Sequence, residues 1–224
     1  MKMRIPQHIG VIPDGNRRWA QANGLSKEEG YARGLEPGLK LFRLCRKLGV
    51  KELTYYGFTT DNTKRPREQY QAFVQACIAA VKMLSREDAE LRVIGNSQSP
   101  MFPEELLPYT RRKTFGKGGI KVNFLVNYGW HWDLLNLYRA KNKNQIQDLI
   151  CSNDVSRIDL IIRWGGRRRL SGFLPVQSIY SDFYVINDYW PDFKEEHLHE
   201  ALEWPIPPKA IPFSINTGLQ YLFS

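Results

Sequence analysis

The chain has 224 residues, 42% of them hydrophobic, and carries 32 Lys and Arg against 23 Asp and Glu, a formal charge of +9. That length and apolar share exclude a disordered or fibrous chain and support one domain with a real core. The excess of cations points to anionic partners: nucleic acid, a membrane surface or phosphorylated small molecules.

Three cysteines, Cys45, Cys77 and Cys151, show no paired spacing, and the first two fall on apolar helical faces. A reduced, cytoplasmic protein is expected. No run approaches the ~18 apolar residues of a membrane span. The opening MKMRIPQH lacks the apolar core of a signal peptide. His8, His131, His197 and His199 make no zinc pattern, and a helix would point the last two to different faces.

The first predicted element is Ile9-Gly10-Val11-Ile12, a short apolar run that reads as a buried strand. Pro13 stops it, Asp14-Gly15-Asn16 turns the chain, and Arg17 to Ala22 continues as a helix. Ser26 is a candidate N-cap ahead of Lys27-Glu28-Glu29. Leu35, Leu39, Phe42, Cys45 and Leu48 have helical spacing, and Gly49 ends that helix. Glu52 to Phe58 reads as a second strand, followed by the polar loop Thr59 to Pro66. Tyr70, Phe73, Val74, Cys77, Ile78, Val81 and Leu84 form the strongest helical stripe. Leu91 to Gly95 is a third strand, and Pro103 starts a helix with Glu104 and Glu105 in its first turn. Ile120 to Tyr128 is a fourth strand, followed by a helix over 132–150. Ile158 to Arg163 is the fifth strand, with the loop Trp164 to Arg169 behind it. A short helix over Phe173 to Tyr180 and a sixth strand, Phe183 to Ile186, follow. Leu198, Ala201 and Leu202 mark a last helix, and the Pro-rich tail from Pro205 reads as irregular. This alternation predicts an α/β fold with a central, mostly parallel six-stranded sheet flanked by helices.

In such a sheet, ligands bind beyond the carboxyl ends of the strands. Three strand-end loops there carry compatible polar groups: Asp14 to Arg18, Thr59 to Arg65, and Arg163 to Ser171. A helix start offers free N–H groups to anions, and Gly15 lets a phosphate approach the backbone. Asp14 can hold a divalent metal that binds phosphate in turn. Arginines grip phosphate in a bidentate fork, and Gly165-Gly166 lets the backbone turn the following arginines inward. Taken alone, Arg167-Arg168-Arg169 reads equally well as a solvated basic loop. The stripe from Tyr70 to Leu84 also has two readings: plain core packing, or one wall of an apolar tunnel beside the phosphate loops. A pocket with phosphate-binding groups at its mouth and an apolar interior suits an isoprenoid diphosphate.

These residues resemble the cis-prenyltransferases, the undecaprenyl diphosphate synthase family. The matching stretches are HIGVIPDGNRRWA, GFTTDNTKRP, LRVIGN, VNYGWHWDL and DLIIRWGGRRRLSGFLPVQSIYSDFYVINDYWPDF, in the family's order from His8 to Phe193. The resemblance implies one α/β domain over residues 1–224, a homodimer, and Mg²⁺-dependent condensation of an allylic prenyl diphosphate with isopentenyl diphosphate. It implies that Asp14 engages diphosphate and Mg²⁺, and that Gly15, Asn16, Arg17 and Arg18 cradle the allylic diphosphate. Phe58, Thr59, Asn62 and Arg65 match the second loop, with Thr59 for a usual serine and Asp61 for a usual glutamate. Arg163, Arg169 and Ser171 match the second diphosphate site, and Asp182 replaces a usual glutamate as metal ligand. Asn16 or the released diphosphate is left as the proton acceptor.

The departures are specific. Tyr31 stands for a usual histidine, Thr63 for a usual tryptophan, and Arg167-Arg168 for an acidic residue and a histidine. The stretch from Asn142 to Arg157 is short, and the usual arginine–glycine signature is absent after Glu203. Together with bulky Tyr70, Phe73 and Met83 on the tunnel wall, these departures predict a short-chain product. Irregular coupling of two allylic diphosphates, transfer to another acceptor, or a non-catalytic partner subunit are the alternatives. A lipid product implies peripheral membrane contact for its release. The chain lacks the aromatic-and-basic arrays of RNA modules, so no nucleic-acid partner is expected.

Overall fold

The computed structural model describes residues 5–135, 137 and 146–203. The strands are β1 (His8–Ile12), β2 (Glu52–Thr59), β3 (Ala89–Ile94), β4 (Lys113–Phe115), β5 (Lys121–Tyr128), β6 (Leu160–Arg163) and β7 (Asp182–Val185), and the apolar runs of β1, β2, β5 and β6 are buried on both faces of the sheet. They make one sheet in the order β4-β3-β5-β2-β1-β6-β7. Every neighbouring pair is parallel except β3 with β4. The sheet has one strand more than the sequence predicts. β4 is three residues on the edge, largely exposed, and too short to leave an apolar signature.

The crossovers carry α1 (Asn16–Ala22), α2 (Glu29–Arg33), α3 (Leu35–Lys47), α4 (Arg67–Leu84), α5 (Trp130–Asp133) and α6 (Ile146–Leu149), and α7 (Glu195–Glu203) follows the last strand. α3, α4 and α7 bury Leu41, Phe42, Cys45, Ile78, Val81, Leu198 and Leu202 against Ile9, Val11, Leu53, Val93, Phe124 and Ile162 on one face of the sheet. The second face packs Ile12, Tyr56, Leu125 and Ile161 against Val155, Ile158, Phe173 and Leu174. That face also carries a buried polar belt across β1, β2 and β5. His8 Nε2 meets Thr54 Oγ1 at 2.8 Å, Asn123 donates to Glu52 at 2.7 Å, and Ser156 Oγ donates to Glu52 at 2.6 Å. Burial pushes the His8 imidazole below its ordinary range, which favours the neutral ring.

Ser26, the candidate N-cap, bonds reciprocally with Glu29: each backbone N–H donates to the other's side chain. His197 and His199 do separate, the first buried and the second exposed. Other elements differ from expectation. Residues 104–109 form a 3₁₀ helix with Pro108 inside it. Phe173 to Tyr180 is a series of turns, because Leu174 takes a φ of 36° and Pro175 follows it. The helix expected over 132–150 starts earlier, at Trp130, and is interrupted by a turn at Leu134. Residues 136 and 138–145 and the tail 204–224 lie outside the described residues.

One close approach ties this packing to the loops above the sheet. A Cβ on Gly30 would stand 2.3 Å from the Asn16 carbonyl oxygen, so α2 lies on α1 only with glycine there. Gly30→Ala is expected to cost about 1–3 kcal/mol of stability. An unchanged urea-denaturation midpoint would show that the two helices separate freely.

Candidate active site

β1 is the sheet's central strand in the sense that matters for ligands: the chain leaves it for β2 on one side, while β6 lies on the other. The crevice at such a switch point opens above the carboxyl ends of the strands. Asp14 follows the end of β1, and Arg163 ends β6, whose register pairs Arg163 with Ile12. The Arg163 side chain, 5% exposed, donates Nη2 to Asp14 Oδ2 at 2.7 Å. Its Nη1 donates to Ser171 Oγ at 3.0 Å and to the Arg169 carbonyl. Ser171 reaches that position by a left-handed turn, φ 54°. The Tyr56 hydroxyl, from β2, donates to the Ser171 carbonyl at 2.7 Å and pins the loop.

Arg18 projects from α1 to the same place. Its Nη1 donates to the Gly165 carbonyl at 2.9 Å, and its Nη2 lies 3.4 Å from Asp14 Oδ1. Gly165 has a φ of 82°, and a Cβ there would stand 2.6 Å from Arg18 Nη2. Gly15, φ 106°, is the N-cap of α1 and lies so close to Tyr189 that a Cβ would meet its ring at 2.7 Å. The Tyr189 ring also sits beneath the Arg18 guanidinium, 5.0 Å from its centroid. Burial raises the Asp14 carboxyl, but the hydrogen bond and charge of Arg163 and the charge of Arg18 outweigh it, leaving Asp14 below the ordinary carboxylate range. Arg18 Nη2 and Arg163 Nε are buried donors with no hydrogen-bond partner among the described residues.

The third loop closes the opposite side. Thr59 and Asn62 bond each other reciprocally across the 3₁₀ turn Thr60–Lys64, with Thr59 N–H donating to Asn62 Oδ1 at 3.0 Å. Arg65 Nη1 donates to the Tyr31 hydroxyl at 2.8 Å and its guanidinium lies over the Phe73 ring. Arg17 donates to Gln69. The loops enclose an open polar cleft of about 550 Å³, lined by Asp14, Gly15, Asn16, Arg17, Arg18, Thr59, Asn62, Arg65, Arg163, Arg167, Arg169 and Ser171 among others.

A second, apolar pocket of about 70 Å³ lies beside this cleft between α3, α4 and the sheet, lined by Leu39, Ala76, Cys77, Ala80, Met83, Leu84 and Phe124. Pro13, Asn16, Tyr31, Gly57 and Phe73 line both spaces, so the two adjoin there. At the joint the Tyr31 and Phe73 rings stack, 4.6 Å between centroids and 7° between planes. Asn16 Nδ2 donates to the Pro13 carbonyl at 3.1 Å, while its Oδ1 is buried without a hydrogen-bond partner among the described residues. The stripe on α4 is therefore both core and pocket wall. Tyr70 turns away and donates to the Met101 carbonyl.

Two predicted site residues stand elsewhere. Phe58 is fully buried and packs edge-on against Tyr70 and Phe73, supporting the wall rather than lining the cleft. Asp182 opens β7 opposite Leu160, so it lies three residues, roughly 10 Å, below the level of Arg163. Among the described residues, no group of three or more His, Cys, Asp or Glu side chains could hold a metal. Tyr31, Tyr56, Tyr189 and Gly165 are parts of the site that sequence reasoning did not assign as site residues. In the sequence Gly165 is marked only as a hinge for the arginines after it and Tyr31 only as a departure from the family's histidine, while Tyr56 and Tyr189 give no signal beyond their places near strand ends.

A model of the prenyltransferase family described as undecaprenyl diphosphate synthase matches residues 12–204. A ditrans,polycis-undecaprenyl-diphosphate synthase of Aliivibrio fischeri is 32% identical over 219 residues, covering 89% of this chain and 85% of that protein. An isoprenyl transferase of Clostridium tetani is 33% identical over 221 residues, covering 89% and 86%. The fold is that of lavandulyl diphosphate synthase from Lavandula x intermedia, solved with dimethylallyl diphosphate: TM-score 0.77, 24% identity, 88% of this chain and 94% of that one. The cleft, the pocket behind it and these relatives converge, and the chain belongs to the undecaprenyl diphosphate synthase family, enzymes that transfer prenyl groups.

Proposed function

We propose that this chain is a Mg²⁺-dependent prenyl diphosphate synthase that condenses an allylic prenyl diphosphate with isopentenyl diphosphate and stops at a short-chain product. The observation that carries the proposal is the junction at Asn16: a guanidinium-lined cleft adjoins an apolar pocket, and five residues line both. A diphosphate fits the first and its hydrocarbon tail the second.

Arg18 and Arg163 both line the cleft, already organised around Asp14, and each guanidinium keeps a buried N–H group with no hydrogen-bond partner among the described residues. As the allylic C–O bond breaks, its electron pair leaves with the diphosphate, and preorganised cations stabilise that growing charge. The alkene of the second substrate then bonds to the allylic carbon, and a proton leaves the adduct. We assign the proton to Asn16 Oδ1, buried at the junction without a hydrogen-bond partner among the described residues, or to the departing diphosphate, the stronger base. The donor set suits Mg²⁺, which is held through one or two carboxylates and substrate phosphates rather than by an all-protein cage. Asp14 is the carboxylate in position to share it, and the ion would neutralise charge on the leaving diphosphate. The stacked Tyr31–Phe73 pair at the joint, with Met83 and Phe124 beyond, supports a short product.

Incubation with Mg²⁺, isopentenyl diphosphate and allylic diphosphates of several lengths tests the whole proposal by mass spectrometry of the products. One or a few additions are expected with a C15 primer. Efficient formation of C50 or longer chains would exclude a short-chain enzyme, and products from allylic substrate alone would replace regular by irregular coupling. Phe73→Ala removes one leaf of the stack and is expected to shift the products upward in length.

Asp14→Asn is expected to lower kcat by about a hundredfold or more while the protein stays folded. It should also remove a pH dependence of stability. Asp14 is held below the ordinary carboxylate value of about 4. Its pairing therefore stabilises the fold fully above that value and is lost as pH falls through the depressed one. Denaturation curves that fall equally with acid in both proteins would contradict this.

Arg163 bridges Asp14 and Ser171, so its removal should harm both substrates. Exposed Arg169 separates them: Arg169→Ala is expected to raise KM for isopentenyl diphosphate about tenfold, the loss of one charge-assisted contact, with little change for the allylic substrate. An equal rise for both would reassign the two diphosphate positions.

A further inference from the structure

The segment after β7 forms a floor beneath the cleft. The Asp188 carbonyl accepts from Gly165 N–H at 2.8 Å, and Gly165 in turn holds Arg18 through its own carbonyl. Tyr189 supports the Arg18 guanidinium and fills the space beside Gly15. Trp190 N–H donates to the Asp14 carbonyl at 3.0 Å. Of these three consecutive residues, Tyr189 and Trp190 touch groups that line the cleft, and Asp188 reaches Arg18 through Gly165.

One buried side chain on α7 holds this floor from behind. Trp164 Nε1–H and Lys194 N–H both point at His197 Nδ1, each at 3.2 Å. The indole N–H can only donate, as can the amide, so Nδ1 is the acceptor and the neutral ring carries its proton on Nε2. Nε2 lies 3.1 Å from Asp188 Oδ2, to which that N–H donates. Trp164, fully buried, immediately follows Arg163 in β6 and stacks edge-on against Trp190. Imidazole therefore ties three separate segments together: the end of β6, the floor after β7, and α7.

We infer that His197 is a positioning residue for diphosphate binding: through Asp188 and Trp164 it fixes the floor that sets Gly165, Arg18 and Asp14 in the cleft. It touches no group that lines the cleft, so its effect passes through Asp188 and Trp164. The inference rests on reading the cleft as a diphosphate site, and the test separates the two.

The measurement is calorimetric binding of inorganic pyrophosphate with Mg²⁺, alongside thermal unfolding of each protein. His197→Phe keeps a ring but loses both hydrogen bonds. It is expected to raise the Kd about tenfold, as when a group supporting a ligand-holding residue is removed. His197→Gln offers an amide oxygen to Trp164 and an amide N–H to Asp188, and is expected to restore the Kd to within about threefold of wild type on the same grounds. Asp188→Ala cuts the same tie from a side chain that is 45% exposed, so it folds even if His197→Phe does not, and its Kd should rise likewise. A lowered unfolding temperature with pyrophosphate affinity unchanged in Asp188→Ala and in folded His197→Phe would overturn the positioning role. Absence of pyrophosphate binding by the wild type would instead overturn the reading of the cleft, and this inference with it.

Discussion

The ion pair between Arg163 and Asp14 is the constraint on which the cleft depends. A guanidinium this deeply buried has to be paired and hydrogen-bonded, and removing one partner of such a pair is far more costly than its net worth suggests. The parallel register of β1 with β6 brings Ile12 and Arg163 side by side, so the pair forms at adjacent strand ends without a long reach. Arg163 also holds Ser171 and the Arg169 carbonyl, and Arg18 holds Gly165. The whole basic loop is thereby gathered around one carboxylate. Cations organised in advance need no rearrangement when negative charge develops beside them, which is where electrostatic catalysis draws its strength.

A second constraint places the apolar pocket beside that charge. β2 pairs with β5 in register until Tyr56, where the ladder shifts before Phe58. The irregularity leaves Gly57, a residue without a side chain, at the joint between cleft and pocket. A Cβ there would stand 2.6 Å from the Phe124 ring. Any larger residue would crowd the joint between cleft and pocket. Tyr31 and Phe73 flank the same joint from the helical side, and Arg65 over both rings links their position to the charged cleft.

Much of this was legible in the chain. Apolar runs bounded by Pro, Gly and Asp marked six strands, and the polar residues at their ends marked the cleft, because a doubly wound sheet puts ligands there. What sequence could not supply was register and crossing. Asp182 looks equivalent to any acid near a strand, but pairing with Leu160 puts it at the opposite end from Arg163. Phe58 ends an aromatic strand and reads as a lining residue until the shift at Gly57 turns it into the core. β4 lacked the length for a pattern, and Leu174 with Pro175 broke a helix that composition alone allowed. Tyr189 and Trp190 acquire their places only when the segment after β7 packs on α1 and α3, a long-range contact that no local pattern encodes.

The pocket wall contains heteroatoms, and their state has a chemical consequence. Cys77 lines it, and burial pushes its thiol up to about 12. Burial also holds the Tyr55 phenol well above its usual value, and its hydroxyl is spent on the Gly38 carbonyl at 2.7 Å. Tyr31 is likewise raised by burial and accepts a hydrogen bond from Arg65. Each of these groups is therefore a neutral, protonated heteroatom at physiological pH, and none is a thiolate or phenolate. An electron-poor carbon formed at the mouth would meet no anionic side chain along this wall that could alkylate itself on it. The enzyme would be spared self-inactivation by its own intermediate, and the alkene would face little competition for that carbon.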